Sequence, residues 1–211
     1  MNAFELKLLA AFTMIIDHVG AVFFPQYHIF RIIGRISFPV FCFLLVEGFY
    51  NTKNIYKYIL RMVLLAGVSE PFYDKLFFGK WIVLNLSNVF ITLTFGLIMM
   101  YVLARLPKGF EKAVAYAAFL AIALYIPMDY GIFGIAMIGG FYFFRQNRIV
   151  NVGYQCFINM YCMGGLQKYG AISSIITMFY NGKKGYSRLK YAFYLLYPMH
   201  IIVFLILRRL L

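Results

Sequence analysis

The stretch "LKLLAAFTMIIDHVGAVFFP", residues 6–25, decides the fold. It is almost wholly apolar, and as a helix with a rise of about 1.5 Å per residue it is long enough to cross a hydrocarbon core of roughly 30 Å. Yet it holds Lys7 near its start and an acid beside an imidazole, Asp17 and His18, toward its far end. An ionisable side chain within a span costs at least a few kcal/mol on insertion scales, so each of these residues needs a reason to be there.

The rest of the chain repeats the pattern. Of 211 residues, 64% are hydrophobic and only 13% charged, where a soluble domain carries about 25% charged residues. Too little polar surface exists to coat a water-soluble globule, and the composition reads as an integral membrane protein. Backbone groups in lipid must be paired internally, which leaves helices or a closed barrel. Segments such as "AVAYAAFLAIALYI" and "VFITLTFGLIMMYVLARL" lack the alternation of barrel strands. The expected class is therefore all-α and polytopic.

Apolar blocks fall at 8–24, 31–50, 57–73, 82–104, 113–127, 131–144, 149–166, 169–180 and 191–208, giving eight or nine transmembrane helices. No linker or repeat interrupts them, so residues 1–211 read as one domain. The first block lacks a small-x-small cleavage site and contains Asp17, so it reads as a retained span. The three cysteines, Cys42, Cys156 and Cys162, show no metal spacing and sit in apolar segments as small core residues. No metal site is expected.

The net charge is +13. Basic residues gather between blocks: Lys53 and Lys57; Arg105, Lys108 and Lys112; Arg145 and Arg148; Lys183, Lys184, Arg188 and Lys190. This fits topology and attraction to anionic headgroups or ligands better than nucleic-acid binding. By the positive-inside rule these loops and the N-terminus are cytoplasmic, in an inner or plasma membrane. Arg208 and Arg209 oppose the scheme if there are nine spans.

Lys7 and His18 are eleven residues apart, within about 20° of a whole number of helical turns and roughly 16 Å along the axis. They share one face. A ligand touching both is long, anionic at one end and reactive at the other, a shape acyl-coenzyme A has. His18 suits proton transfer from an amine or hydroxyl. Neighbouring helical residues diverge by about 100°, so Asp17 is set to pair with an arginine elsewhere rather than with His18 directly. The plainer alternative places Asp17 and His18 at the outer water interface.

In "FRIIGRISFPVFCFLLVEGFYNTKN" (residues 30–54) Arg31 and Arg35 stack one turn apart. They would bind an anionic group or stabilise an oxyanion, unless they form an interfacial pair bridged structurally with Glu47. Pro39 would break or kink this helix. "NGKKG", Asn181 to Gly185, is a basic turn suited to phosphate contacts, although a positive-inside loop looks the same. His200 follows Pro198 in the last block as a second buried histidine, with a functional role or a structural hydrogen bond to another helix as its reason. "SEPFYDK" sets Glu70 and Asp74 one turn apart, read as a solvated helix end. No HExxH, GxSxG or P-loop spacing occurs.

In order along nearly the whole chain, "MIIDHVGAVFFP", "FRIIGRISFPVFCFLLVEGFYNTKN", "SEPFYDK", "LNLSNVFITLTFGL", "YNGKKG" and "YPMH" resemble blocks of the TraX family of membrane proteins, named for the conjugative-pilin N-acetylase. More distantly, Lys7-x10-His18 is similar to the Arg/Lys-x10-His motif of acyltransferase family 3 membrane enzymes. The resemblance implies transfer of acetyl from cytoplasmic acetyl-coenzyme A to an extracytoplasmic amine or hydroxyl, such as a peptide or pilin N-terminus or a small molecule. His18 would be the base, supported by Asp17, with Arg35 on the oxyanion and Glu47 orienting. Lys7, Arg31, Asn181, Lys183, Lys184 and His200 would bind the cofactor. The alternative is a proton- or anion-coupled transporter, in which Asp17, His18, Arg35 and Glu47 line a pathway.

Overall fold

A computed structural model of the chain describes residues 1–83, 88–107, 109–186 and 190–210. Among them every regular element is helical and no strand occurs. Lys108 and Arg188 of the basic loops, and residues 84–87 of the fourth apolar block, lie outside the described residues. Among the described residues three segments are long and apolar enough to cross a membrane: Ala3–Phe23, His28–Asn51 and Ala192–Leu210. The chain divides into two compact units, residues 1–44 with 144–211, and residues 45–143.

The first unit opens with α1, Ala3–Phe23. Asn2 caps it: its side chain accepts from the backbone N–H groups of Phe4 and Glu5, and Glu5 reaches back to the Asn2 N–H at 3.0 Å. This reciprocal box satisfies donors that a helix start otherwise leaves open. α2, His28–Gly34, folds back along α1. Their close approach depends on glycine. A Cβ on Gly20 would collide with Phe30, and one on Gly34 would collide with the Asp17 side chain.

The second apolar block is not one helix. α2 ends at Gly34, the bonding tightens to three-residue spacing at Ile36, and α3, Ser37–Asn51, begins. The break precedes Pro39, which sits in the first turn of α3. Proline has no N–H, so the carbonyl four residues before it loses its helical donor. That carbonyl is Arg35's, and Gln167 Nε2 lies 3.4 Å from it. Leu6 and Ala10 of α1 pack with Val40, Leu44 and Tyr180 into a buried apolar cluster, and Ser37 donates to the Ala10 carbonyl at 2.9 Å.

α8, Arg148–Phe157, is followed by a π-helical turn, Ile158–Met163, a 3-10 segment, Gly165–Ala171, and α9, Ile172–Met178. The seventh and eighth apolar blocks are thus divided among α8, the π-helical turn, the 3-10 segment and α9. α8 buries Asn151 and Gln155 while Ile149 is 79% exposed, the reverse of a helix facing water. α10, Lys190–Leu210, contains Pro198. Phe4 meets Phe193, and Phe23 meets Phe204, so α10 runs the same way as α1. Arg208 and Arg209 therefore finish at the Phe23 end.

The second unit contains α4, Ile55–Phe78, α5, Val89–Arg105, α6, Phe110–Tyr125, and α7, Gly131–Phe143. α7 is buried along Gly134 to Tyr142 and packs on α5 and α6. Glu70 and Asp74 do not mark a solvated helix end. α4 continues to Phe78, Asp74 is 1% exposed, and its Oδ2 accepts from the Val83 N–H at 2.7 Å. Pro71 lies inside the helix, so it did not terminate it.

Candidate functional site

α1 is continuous from Ala3 to Phe23, so Lys7 and His18 occupy one straight element. At its start the chain's "NGKKG" turn is docked. Ala3 N–H donates to the Lys183 carbonyl at 2.9 Å, and Asn181 N–H donates to the Met1 carbonyl at 2.9 Å. The turn is shaped by left-handed Gly182 and Gly185, a conformation glycine adopts without steric cost. Asn181 Oδ1 accepts from the Lys183 N–H. Lys183 and Lys184 are exposed, and Lys7 is half-buried about one turn along α1.

Deeper along α1, the two oxygens of Asp17 are divided between two arginines. Arg31 Nη1 lies 2.5 Å from Oδ2 and Arg35 Nη2 lies 2.5 Å from Oδ1. Arg35 Nε also donates to the Arg31 carbonyl at 3.2 Å. Charge-assisted bonds of this kind are about twice as strong as neutral ones. The helical setting of Arg35 puts the two guanidiniums on one side of α2, as their spacing predicts. The carboxylate serves the arginines, and the ring that meets His18 is another histidine.

His18 Nδ1 and His200 Nε2 are 2.7 Å apart, with ring centroids 5.0 Å apart and planes inclined at 19°. Tyr197, almost fully buried, sets its ring edge-on to both imidazoles. Phe204 stands edge-on to His200 at 5.6 Å. His200 Nδ1 lies 3.0 Å from the Leu196 carbonyl one turn earlier in α10.

The sequence groups Arg31 and His200 with the cofactor-binding lysines. The structure instead sets both at the Asp17–His18 level, about 15 Å along α1 from Lys7. The site residues of the first unit thus form two groups: Lys7, Asn181, Lys183 and Lys184 at one end, and Asp17, His18, Arg31, Arg35 and His200 further along. Glu47 is on the part of α3 that belongs to the second unit, buried, with Asn51 Nδ2 donating to its carbonyl. Among the described residues no group of three His, Cys, Asp or Glu side chains is placed to hold a metal.

Two features escape a reading by composition. Tyr197 is one: an aromatic in an apolar segment carries no signal of its own. The other is a buried polar stripe, Asn151, Gln155 and Asn159, with Gln167 Nε2 donating to Asn159 Oδ1 at 3.0 Å. Its signal was present, since three amides four apart share one helical face inside an apolar block. A Cβ on Gly170 would come within 2.5 Å of both Asn159 Oδ1 and Gln167 Nε2.

Gly34→Ala tests the packing that holds Asp17. The new methyl has nowhere to go except into a carboxylate fixed by two arginines, and overpacking of this sort costs about 1–3 kcal/mol. Gly67→Ala in α4, with nothing within 4 Å of the new Cβ, is expected to stabilise by up to about 1 kcal/mol through helix propensity. Denaturant unfolding in detergent reads both. Equal behaviour of the two variants would refute the close approach.

A family model described as "TraX protein" matches residues 3–208. The chain is 28% identical to the "Probable fimbrial assembly protein FimC, serogroup H1" of Dichelobacter nodosus, over 95% of this chain and 93% of that protein. It is 32% identical to the "Uncharacterized protein RP591" of Rickettsia prowazekii (strain Madrid E), over 74% of this chain and 60% of that protein. No solved structure matches.

Proposed function

The chain belongs to the TraX family, and from that premise we propose that it is a multi-pass acyltransferase of the inner or plasma membrane, moving acetyl from acetyl-coenzyme A to an amine or hydroxyl. The observation that supports this best is the arrangement along α1. An exposed basic turn sits at one end, and a histidine pair lies about four turns further on, on the Lys7 face. The shorter apolar helices would complete the eight or nine spans. A relative named as a fimbrial assembly protein supports a pilin or other peptide N-terminus as one acceptor class.

Lys7, Asn181, Lys183 and Lys184 would hold the anionic end of the donor at the cytoplasmic side. His18 would take the proton from the acceptor N–H or O–H. The acceptor's electron pair forms the new bond to the acetyl carbon, the thioester C–S bond breaks, and the departing thiolate takes the proton from His18. Arg35, with its guanidinium held by Asp17, would place positive charge beside the developing oxyanion. Glu47 stays a candidate for orienting the acceptor. Asp17 supports the site by fixing the arginines.

The test is label transfer from acetyl-coenzyme A to a peptide with a free N-terminus by the purified protein in lipid nanodiscs. Binding is checked separately. Coenzyme A at a hundredfold excess over its dissociation constant should stabilise the fold by about 2.7 kcal/mol, and Lys183→Glu with Lys184→Glu should abolish most of the shift. No shift, together with dissipation of a pH gradient in proteoliposomes, would overturn the reading in favour of a transporter.

A further inference from the structure

We propose that His200 is a positioning residue that fixes the tautomer of His18, making Nε2 of His18 the proton-accepting atom. The two contacts of His200, to the Leu196 carbonyl and to His18 Nδ1, give the proton assignment for the neutral pair. The Leu196 carbonyl, 3.0 Å from His200 Nδ1, can only accept, so Nδ1 of His200 carries the hydrogen. A neutral imidazole has one N–H, which makes His200 Nε2 an acceptor. His18 Nδ1, 2.7 Å away, must then be the donor, and the lone pair of His18 resides on Nε2.

The chain of bonds runs from His18 through His200 to a backbone carbonyl. Tyr197 and Phe204 wall the two rings and hold them in register. When His18 takes a proton on Nε2, its Nδ1–H bond to His200 becomes charge-assisted and strengthens. The arrangement thereby favours the protonated state of His18 during the step in which it forms. This catalytic consequence rests on the acyl-transfer reading above, whereas the tautomer itself does not.

The chain has three histidines, so nitrogen-15 labelled histidine gives three ring systems in an NMR spectrum of the full protein in detergent. Exposed His28 serves as the internal reference. In the neutral protein His18 should show a protonated Nδ1 and an unprotonated Nε2. In His200→Ala it should revert to the Nε2–H form that free imidazole side chains favour, while His200→Gln, whose amide oxygen can accept, should retain Nδ1–H. For acetyl transfer, His200→Ala should lower kcat by about 10²-fold with the KM for acetyl-coenzyme A unchanged, and His200→Gln should recover most of it.

A wild-type His18 in the Nε2–H form would overturn the proposal, and so would a tautomer indifferent to His200. The wild-type spectrum decides this even if His200→Ala does not fold. Failure of acetyl transfer in the wild-type protein, with the expected spectrum, sinks the acyltransferase reading and leaves the tautomer assignment standing.

Discussion

His18→Ala should lower acetyl transfer by about 10²–10⁴-fold, the range typical of a lost general base. Alanine retains the helix and removes only the ring, so coenzyme A binding at the Lys183 end of α1 should be preserved. His28→Ala is the matched control, because His28 is exposed at the start of α2. The combination is informative. Loss of turnover with intact coenzyme A stabilisation separates a role in chemistry from one in binding or folding. Full transfer activity in His18→Ala would remove His18 from the mechanism, and with it the reason for the long, two-ended ligand.

Asp17→Ala should destabilise the first unit by about 3 kcal/mol. The side chains of Asp17 and Arg35 are 11% and 15% exposed, and Arg31 is 31% exposed. Removing the carboxylate takes from both guanidiniums the ion pair they share, and breaking a buried pair costs about 3–5 kcal/mol. The lower end applies because Arg31 retains partial contact with its surroundings and is screened. A triple variant, Asp17→Leu with Arg31→Met and Arg35→Met, should unfold at higher denaturant than Asp17→Ala, since no charge is left uncompensated. Denaturant unfolding in detergent measures both. A loss below about 0.5 kcal/mol for Asp17→Ala would show that the cluster is solvated.

The ion cluster and the histidine pair are neighbours for a local reason. Asp17 and His18 adjoin in sequence and point about 100° apart around α1. One side chain therefore faces α2 and the other faces α10. Two adjacent residues thereby tie α1 to two different helices, with Gly34 permitting α2 to come close enough to complete the first tie. The carbonyl of Arg35, freed by Pro39, extends the first tie to Gln167. Proline and glycine here act through the same site, one by removing a donor and the other by removing a methyl group.

Local periodicity determined what depends on one helix at a time. It is enough to place Lys7 and His18 on one face, Arg31 and Arg35 one turn apart, Asp17 turned away from His18, and the chain in the all-helical class. It misread Glu70 and Asp74 as a solvated helix end, because the apolar block fades near residue 73 while α4 runs on to Phe78 and buries Asp74. The kink expected from Pro39 falls at Arg35–Ile36, within a segment, His28–Asn51, that is still long and apolar enough to cross a membrane. Only the tertiary structure decided which side chains meet: His200 is 182 positions from His18 and Gln167 is 132 from Arg35. Such pairs follow from how whole helices pack. Helical period specifies the direction a side chain leaves its own axis, and the partner waiting there is set by the path of the rest of the chain.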